Sequence, residues 1–190
     1  MSDHITTYSK INFSPLNPKK EEIEIRDIAH ALSLLVRANG HFPEFFSVGQ
    51  HSIACCEEAL ARGYTTKVSL ACLLHDASEA YMSDVTRPIK QFLTAYLDAE
   101  KKLQDTIYHT FLGSHVTESE AELVKRIDDT MLYHEFLHYM DQRMPITHDE
   151  LLTKPHFAFV NFKEIEDRYT ELFYNLREEL KLEKEGDQNE

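Results

Sequence analysis

Apolar residues in this chain return at helical spacing between marked start and stop signals, and that pattern constrains the fold most. From about Asp27, the side chains of Ile28, Leu32, Leu35 and Val36 fall on one face, and Asn39-Gly40 closes the segment. A Phe-rich loop follows, and Ser47 is placed to cap a second helix that runs to Arg62-Gly63. Thr65 or Thr66 opens a third, carried by Val68, Leu70, Ala71, Leu73 and Leu74 to about Tyr81. Residues 83–87 read as a loop. Pro88 then starts a long amphipathic helix, with Gly113 set to cap it after Leu112. Thr117-Glu118-Ser119-Glu120 is close to a capping box and opens a fifth helix reaching about Met140. Residues 144–158 look irregular, and a last helix covers roughly 161–183 before a charged tail, 184–190, that reads as disordered.

Residues 1–19 are polar and carry Pro15 and Pro18. Alternation in Tyr8-Ser9-Lys10-Ile11-Asn12-Phe13, echoed by Ile23-Glu24-Ile25, would pair as a short hairpin. No internal repeat or linker marks a second domain. The expectation is therefore one all-α bundle over 20–183, preceded by an N-terminal segment with room for a short β-hairpin. Five glycines and six prolines in 190 residues agree with a helical fold.

A formal net charge of −13 argues against broad contact with a nucleic-acid polymer, which needs clustered Lys and Arg. It still permits a small anionic substrate, because an ion and one or two placed cations reverse the field inside a pocket. No apolar run is long enough to span a bilayer, and the start, Met-Ser-Asp-His, lacks the character of a signal peptide, so no membrane partner and a cytoplasmic address are expected. Cys55, Cys56 and Cys72 form no CxxC pair, sit in apolar helical patterns, and read as buried core thiols.

Eleven histidines are many for a chain of this size, and imidazole is the commonest ligand for intracellular transition metals. His51 on the second helix and the pair His75-Asp76 late on the third are the first candidates. Neighbours on a helix project about 100° apart, so His75 and Asp76 can both reach one ion at a helix crossing. Asp128 on the fifth helix could close the site. Two imidazoles and two carboxylates suit one divalent transition ion, Mn, Fe, Co, Ni or Zn, with positions left for water or substrate. Glu79 shares the face of His75 and Asp76, Asp84 follows in the next loop, and Glu135 lies two turns beyond Asp128. Arg37, Arg87 and Lys90 are the candidate phosphate partners.

The run Leu73-Leu74-His75-Asp76-Ala77-Ser78-Glu79-Ala80, with Asp84 and Pro88-Ile89-Lys90, resembles the core of bacterial 5′-deoxynucleotidases in the HD-domain phosphohydrolase superfamily. Asp27 to Ser33, then Arg37, Asn39-Gly40-His41 and Ser47 to Ser52, is similar to HD proteins of phage and prophage origin. Phe13-Ser14-Pro15-Leu16-Asn17-Pro18 looks like their N-terminal segment, and the resemblance runs from about residue 8 to 140. It implies metal ligands His51, His75, Asp76 and Asp128, with Glu79 and Asp84 in water activation or proton transfer and Arg37 on the substrate phosphate. Asp129 follows Asp128, and choosing Asp128 keeps the match to Lys125 and Glu135. Two positions depart from the pattern: Ala38 follows Arg37 where relatives often carry an aromatic, and Gln50 stands where the deoxynucleotidases often place Glu. The implied reaction is release of phosphate from a deoxynucleoside 5′-monophosphate; the alternative is a deoxynucleoside triphosphate triphosphohydrolase. The implied state is a homodimer.

A literal HExxH, His134-Glu135-Phe136-Leu137-His138, offers a competing expectation, since it would set two imidazoles and a general base on one helix face as in zinc proteases. Nothing downstream is clearly a third ligand, and Met131, Leu132 and Leu137 read as the core side of an ordinary amphipathic helix.

Overall fold

The structure, a computed structural model, describes residues 3–187. A two-stranded antiparallel hairpin, β1 (Ile5–Thr6) and β2 (Asn12–Phe13), pairs Ile5 with Phe13 and Thr6 with Asn12. The hairpin expected at the N-terminus is therefore present, but its partner strand is upstream: Ile25 instead begins α1 (Ile25–Leu34). Then come α2 (Val48–Ala61), α3 (Thr66–Leu74), α4 (Glu79–Met82), α5 (Arg87–Lys90), α6 (Thr94–Leu112), α7 (Glu118–Met140) and α8 (Phe162–Asp187). The fold is all-α apart from the hairpin. Among the described residues no helix is long and apolar enough to cross a membrane.

The caps explain the firmest boundaries. Ser47 and Gln50 form a full capping box on α2, and Thr117 and Glu120 form another on α7. Gly113 closes α6 in the left-handed conformation, at φ 72°. α2 packs on α3, α8 lies across α1 and α3, and α7 closes against α2 and α3. The contact of α2 with α1 and α8 is tight at Gly49, where a Cβ would stand 2.9 Å from Ile165 Cγ2 and 3.2 Å from the Leu32 backbone.

Three expected helices end or break early, each for an identifiable reason. α1 stops at Leu34, before Asn39-Gly40, because the chain turns extended so that Val36 pairs with Ser47 and the Arg37 N–H donates to Phe46 O at 2.9 Å. Ala38 and Asn39 then take left-handed φ values of 52° and 50°, which swings the chain around Arg37. The third helix was expected to reach Tyr81 but divides after Leu74. Side chains take the carbonyls that a continuing helix needs: the Tyr169 hydroxyl donates to Leu73 O at 2.7 Å, Gln104 Nε2 to Leu74 O at 2.7 Å, and His75 Nδ1 to Cys72 O at 2.7 Å. The helix expected from Pro88 is interrupted at residues 91–93, with Gln91 Nε2 donating to Pro88 O at 3.0 Å.

α8 reaches Asp187, so the tail expected from 184 is helical as far as 187, and 188–190 lie outside the described residues. This helix supplies a full core face: Ile165, Tyr169, Leu172, Phe173, Leu176 and Leu180 are buried. Residues 144–158 are irregular, as expected. They are fastened by Glu58, a buried carboxylate that accepts hydrogen bonds from the N–H groups of Leu152 at 3.0 Å and Thr153 at 2.9 Å.

Candidate metal centre

Two helices and the end of a third meet at one point. α2 brings His51, the turn after α3 brings His75 and Asp76, and α7 brings Asp128 and Glu135. The Nε2 atoms of His51 and His75 face each other at 3.1 Å. Asp128 Oδ1 lies 3.3 Å from His51 Nε2 and 3.7 Å from His75 Nε2. Asp76 Oδ2 lies 3.3 Å from His75 Nε2 and 3.8 Å from His51 Nε2. Donors each about 2.0–2.2 Å from one ion, set at right or tetrahedral angles, are about 2.8–3.6 Å apart. Three of these five separations fall in that interval and two lie just outside it, so the donor set fits a single transition ion.

The back side of each imidazole is engaged. His75 Nδ1–H donates to the Cys72 carbonyl, which can only accept, so its Nε2 points inward. His51 Nδ1 is 2.5 Å from Glu135 Oε1, a pair with both side chains fully buried. Arg37, also buried, sets Nη2 at 3.2 and 3.3 Å from the two ring nitrogens of His51, and at 3.4 Å from Glu135 Oε2; its Nη1 is 3.4 Å from Asp76 Oδ2. His51, Cys55 and His75 form a cluster that could hold a metal ion, with one ligand atom of each within 4.8 Å of the others. Cys55 was read from sequence as a core thiol. It is buried as expected, but its Sγ also stands 3.6 Å from His51 Nε2.

The electrostatics divide the acidic residues into two classes. Burial pushes Asp76 upward, yet His75, Arg37 and His51 outweigh it and hold the carboxyl far below its ordinary range. Asp128 is likewise held down, against its burial, by hydrogen bonds to His51 and His75. Glu79 goes the other way: burial, then Asp76 and Asp84, push it well up. Burial also raises Asp84. Glu79 Oε2 is a buried oxygen without a hydrogen-bond partner. Two carboxylates are thus held down where an ion would sit, and two beside it are pushed up, Glu79 the more strongly.

These groups floor a cleft of about 570 Å³. Arg37, Glu79, Asp84, Arg87 and Lys90 line it on one side, and Phe42, Leu132, Phe136, Met140 and Met144 give it an apolar wall. Phe42 is fixed there by an edge contact to Phe136 at 5.2 Å and by stacking on Tyr139 at 4.6 Å. Between Glu79 and Asp84 the chain passes through Ser83 at φ 72° and ψ 157°, a conformation normally left to glycine. The Ser83 N–H donates to Glu79 O at 2.8 Å and its carbonyl accepts from the Tyr96 hydroxyl at 2.9 Å.

No family model matches this chain. It is similar to the uncharacterized protein YfdR of Escherichia coli (strain K12), 35% identical over 103 residues that cover 54% of this chain and 55% of that protein. It is also similar to an uncharacterized protein of Rhodobacter capsulatus, 35% identical over 102 residues that cover 50% of this chain and 52% of that protein. The chain spans about half the length of the curated relatives it matches.

All four expected ligand residues converge, and Asp129 does not compete with Asp128. It turns away to Arg87 Nη1 at 2.8 Å and to Lys125. Arg87 also holds Asp128 Oδ2 at 2.7 Å. Lys90 lines the cleft, but its ammonium is paired with Glu100 at 2.6 Å. The HExxH residues separate. Glu135 turns to His51, His134 Nε2 bonds the Asp149 carbonyl at 3.0 Å, and His138 stacks on Phe157 at 4.8 Å. Sequence spacing did place Glu135 on the face of Asp128, but its bond to His51 links residues 84 apart, and no local signal reveals that.

Proposed function

We propose that this chain is an HD-domain phosphohydrolase that uses one divalent transition ion, Mn, Fe, Co, Ni or Zn, to release phosphate from a deoxynucleoside 5′-monophosphate. The observation that carries this reading is the convergence of His51, His75, Asp76 and Asp128, with Asp76 and Asp128 lining a cleft large enough for one nucleotide. Those four residues would hold the ion. When bound, such an ion supplies Lewis acidity towards a phosphoryl oxygen and lowers the pKa of water.

The chain's own groups divide the remaining work. Arg37 presents a guanidinium, already desolvated by burial, to the phosphoryl oxygens. Asp84 accepts the proton of the attacking water, and Glu79, whose carboxyl burial pushes well up, delivers one to the leaving 5′-oxygen as its bond to phosphorus breaks. The wall of Phe42, Phe136 and Met140 offers apolar surface to the base and sugar.

The decisive assay incubates the metal-loaded chain with deoxynucleoside mono- and triphosphates. Inorganic phosphate from the monophosphate supports the reading, triphosphate released from the triphosphate redirects it to a triphosphohydrolase, and silence on both sinks it. Asp76→Ala should lose bound metal and more than about 100-fold in rate, the upper end of what an outer-shell change costs. His138→Ala should keep both. Loss of the ion in His138→Ala alone would move the centre to the HExxH helix.

A further inference from the structure

Cys55 stands one helical turn after His51 on α2, so the two side chains share a face. Its sulfur is directed at the same point as the two imidazole Nε2 atoms, and the three donors lie within 4.8 Å of one another. The separation of 3.6 Å between Cys55 Sγ and His51 Nε2 is informative. A nitrogen about 2.05 Å and a sulfur about 2.3 Å from one ion, at the tetrahedral angle, are about 3.6 Å apart. Cys56 and Cys72 are equally buried but belong to no such donor group among the described residues.

We propose that Cys55 is a direct ligand of the metal centre, so that the site is a mixed nitrogen, oxygen and sulfur site selective for thiophilic ions such as zinc and cobalt over manganese. The inference rests on the reading of His51, His75, Asp76 and Asp128 as a metal centre, and not on the phosphatase reaction. Binding exchanges the S–H bond for a metal–sulfur bond and releases one proton to solvent; no electron moves and no co-reactant is needed. Thiolate donors favour zinc over manganese, while a site of only imidazole and carboxylate groups separates the two less. Full burial also keeps this sulfur from exchanging with external thiols, as suits a structural ligand.

The test is cobalt(II) titration of the full, metal-free chain, followed by ultraviolet and visible absorption. A thiolate-to-cobalt charge-transfer band should appear in the wild type, vanish in Cys55→Ser, and persist in Cys72→Ser. Zinc affinity should fall in Cys55→Ser by at least about tenfold, the minimum for an outer-shell change, while manganese affinity stays. Circular dichroism checks that each variant is folded, and should Cys55→Ser not fold, a band that persists in both Cys56→Ser and Cys72→Ser assigns the thiolate to Cys55 by elimination. Cobalt bound with ligand-field bands alone would overturn the role of Cys55 and leave the metal centre standing. A charge-transfer band that survives Cys55→Ser, or moves to Cys72, overturns it too. No cobalt binding at all would overturn the centre together with the inference.

Discussion

A ligating imidazole must present one nitrogen to the ion, and its other nitrogen decides which. His75 settles this against a carbonyl of its own turn, whereas His51 relies on Glu135 from α7. Glu135 therefore acts as a positioning residue, ordering both His51 and Arg37 from behind. Glu135→Gln keeps an acceptor for Nδ1–H but removes the charge, and metal affinity should fall by about 10–100-fold. Competition with a chelator measures this, and an unchanged affinity would show that the packing of α2 alone orients His51. At this scale the sequence was informative where chemistry is local. The pair His75-Asp76, and Glu79 one turn on, could be read from spacing; the union of Cys55 with two imidazoles could not, because a buried cysteine on an apolar face looks the same whether or not it faces donors.

Helix boundaries followed the same division. Ser47, Thr117 and Gly113 act on their own neighbours, and those ends were legible. The break after Leu74 was not, since Gln104 and Tyr169 reach it from distant elements. The irregular stretch after α7 raises the same issue, because it carries Gln142 and Met144 to the cleft and is fastened by side chains of other elements, among them a buried carboxylate on α2. Burial raises Glu58, but the N–H groups of Leu152 and Thr153, the Thr153 hydroxyl and Arg62 together hold it below its ordinary value. A depressed folded pKa means stability that is complete above the unfolded pKa and lost as pH falls through the folded one. Wild type should therefore exceed Glu58→Gln by about 2 kcal/mol at neutral pH, a difference constant down to about pH 5 and shrinking below about 4.3. Urea melts across that range test the sign; an advantage that grows in acid would refute it.

For the molecule as a whole, α8 matters more than its charged sequence suggested. Tyr169 and Phe173 complete the core, and the Tyr169 hydroxyl holds the Leu73 carbonyl just before the turn that carries His75. The formal net charge of −13 gives the molecule a negative long-range field, whatever the balance of groups inside the cleft. A nucleotide, the substrate proposed, would approach against that field. Raising salt from about 10 mM to about 150 mM shortens the Debye length from about 30 to about 8 Å, so kcat/KM should rise over this range. A fall would mean that Arg37, Arg87 and Lys90 dominate the field at the mouth. The strained Ser83 poses an opposite kind of choice. Ser83→Gly should raise the denaturation midpoint by about 1 kcal/mol in equivalent stability, yet lower kcat by letting Asp84 wander from Glu79. A laboratory selection for heat resistance would find that substitution early, and turnover would be what it traded away.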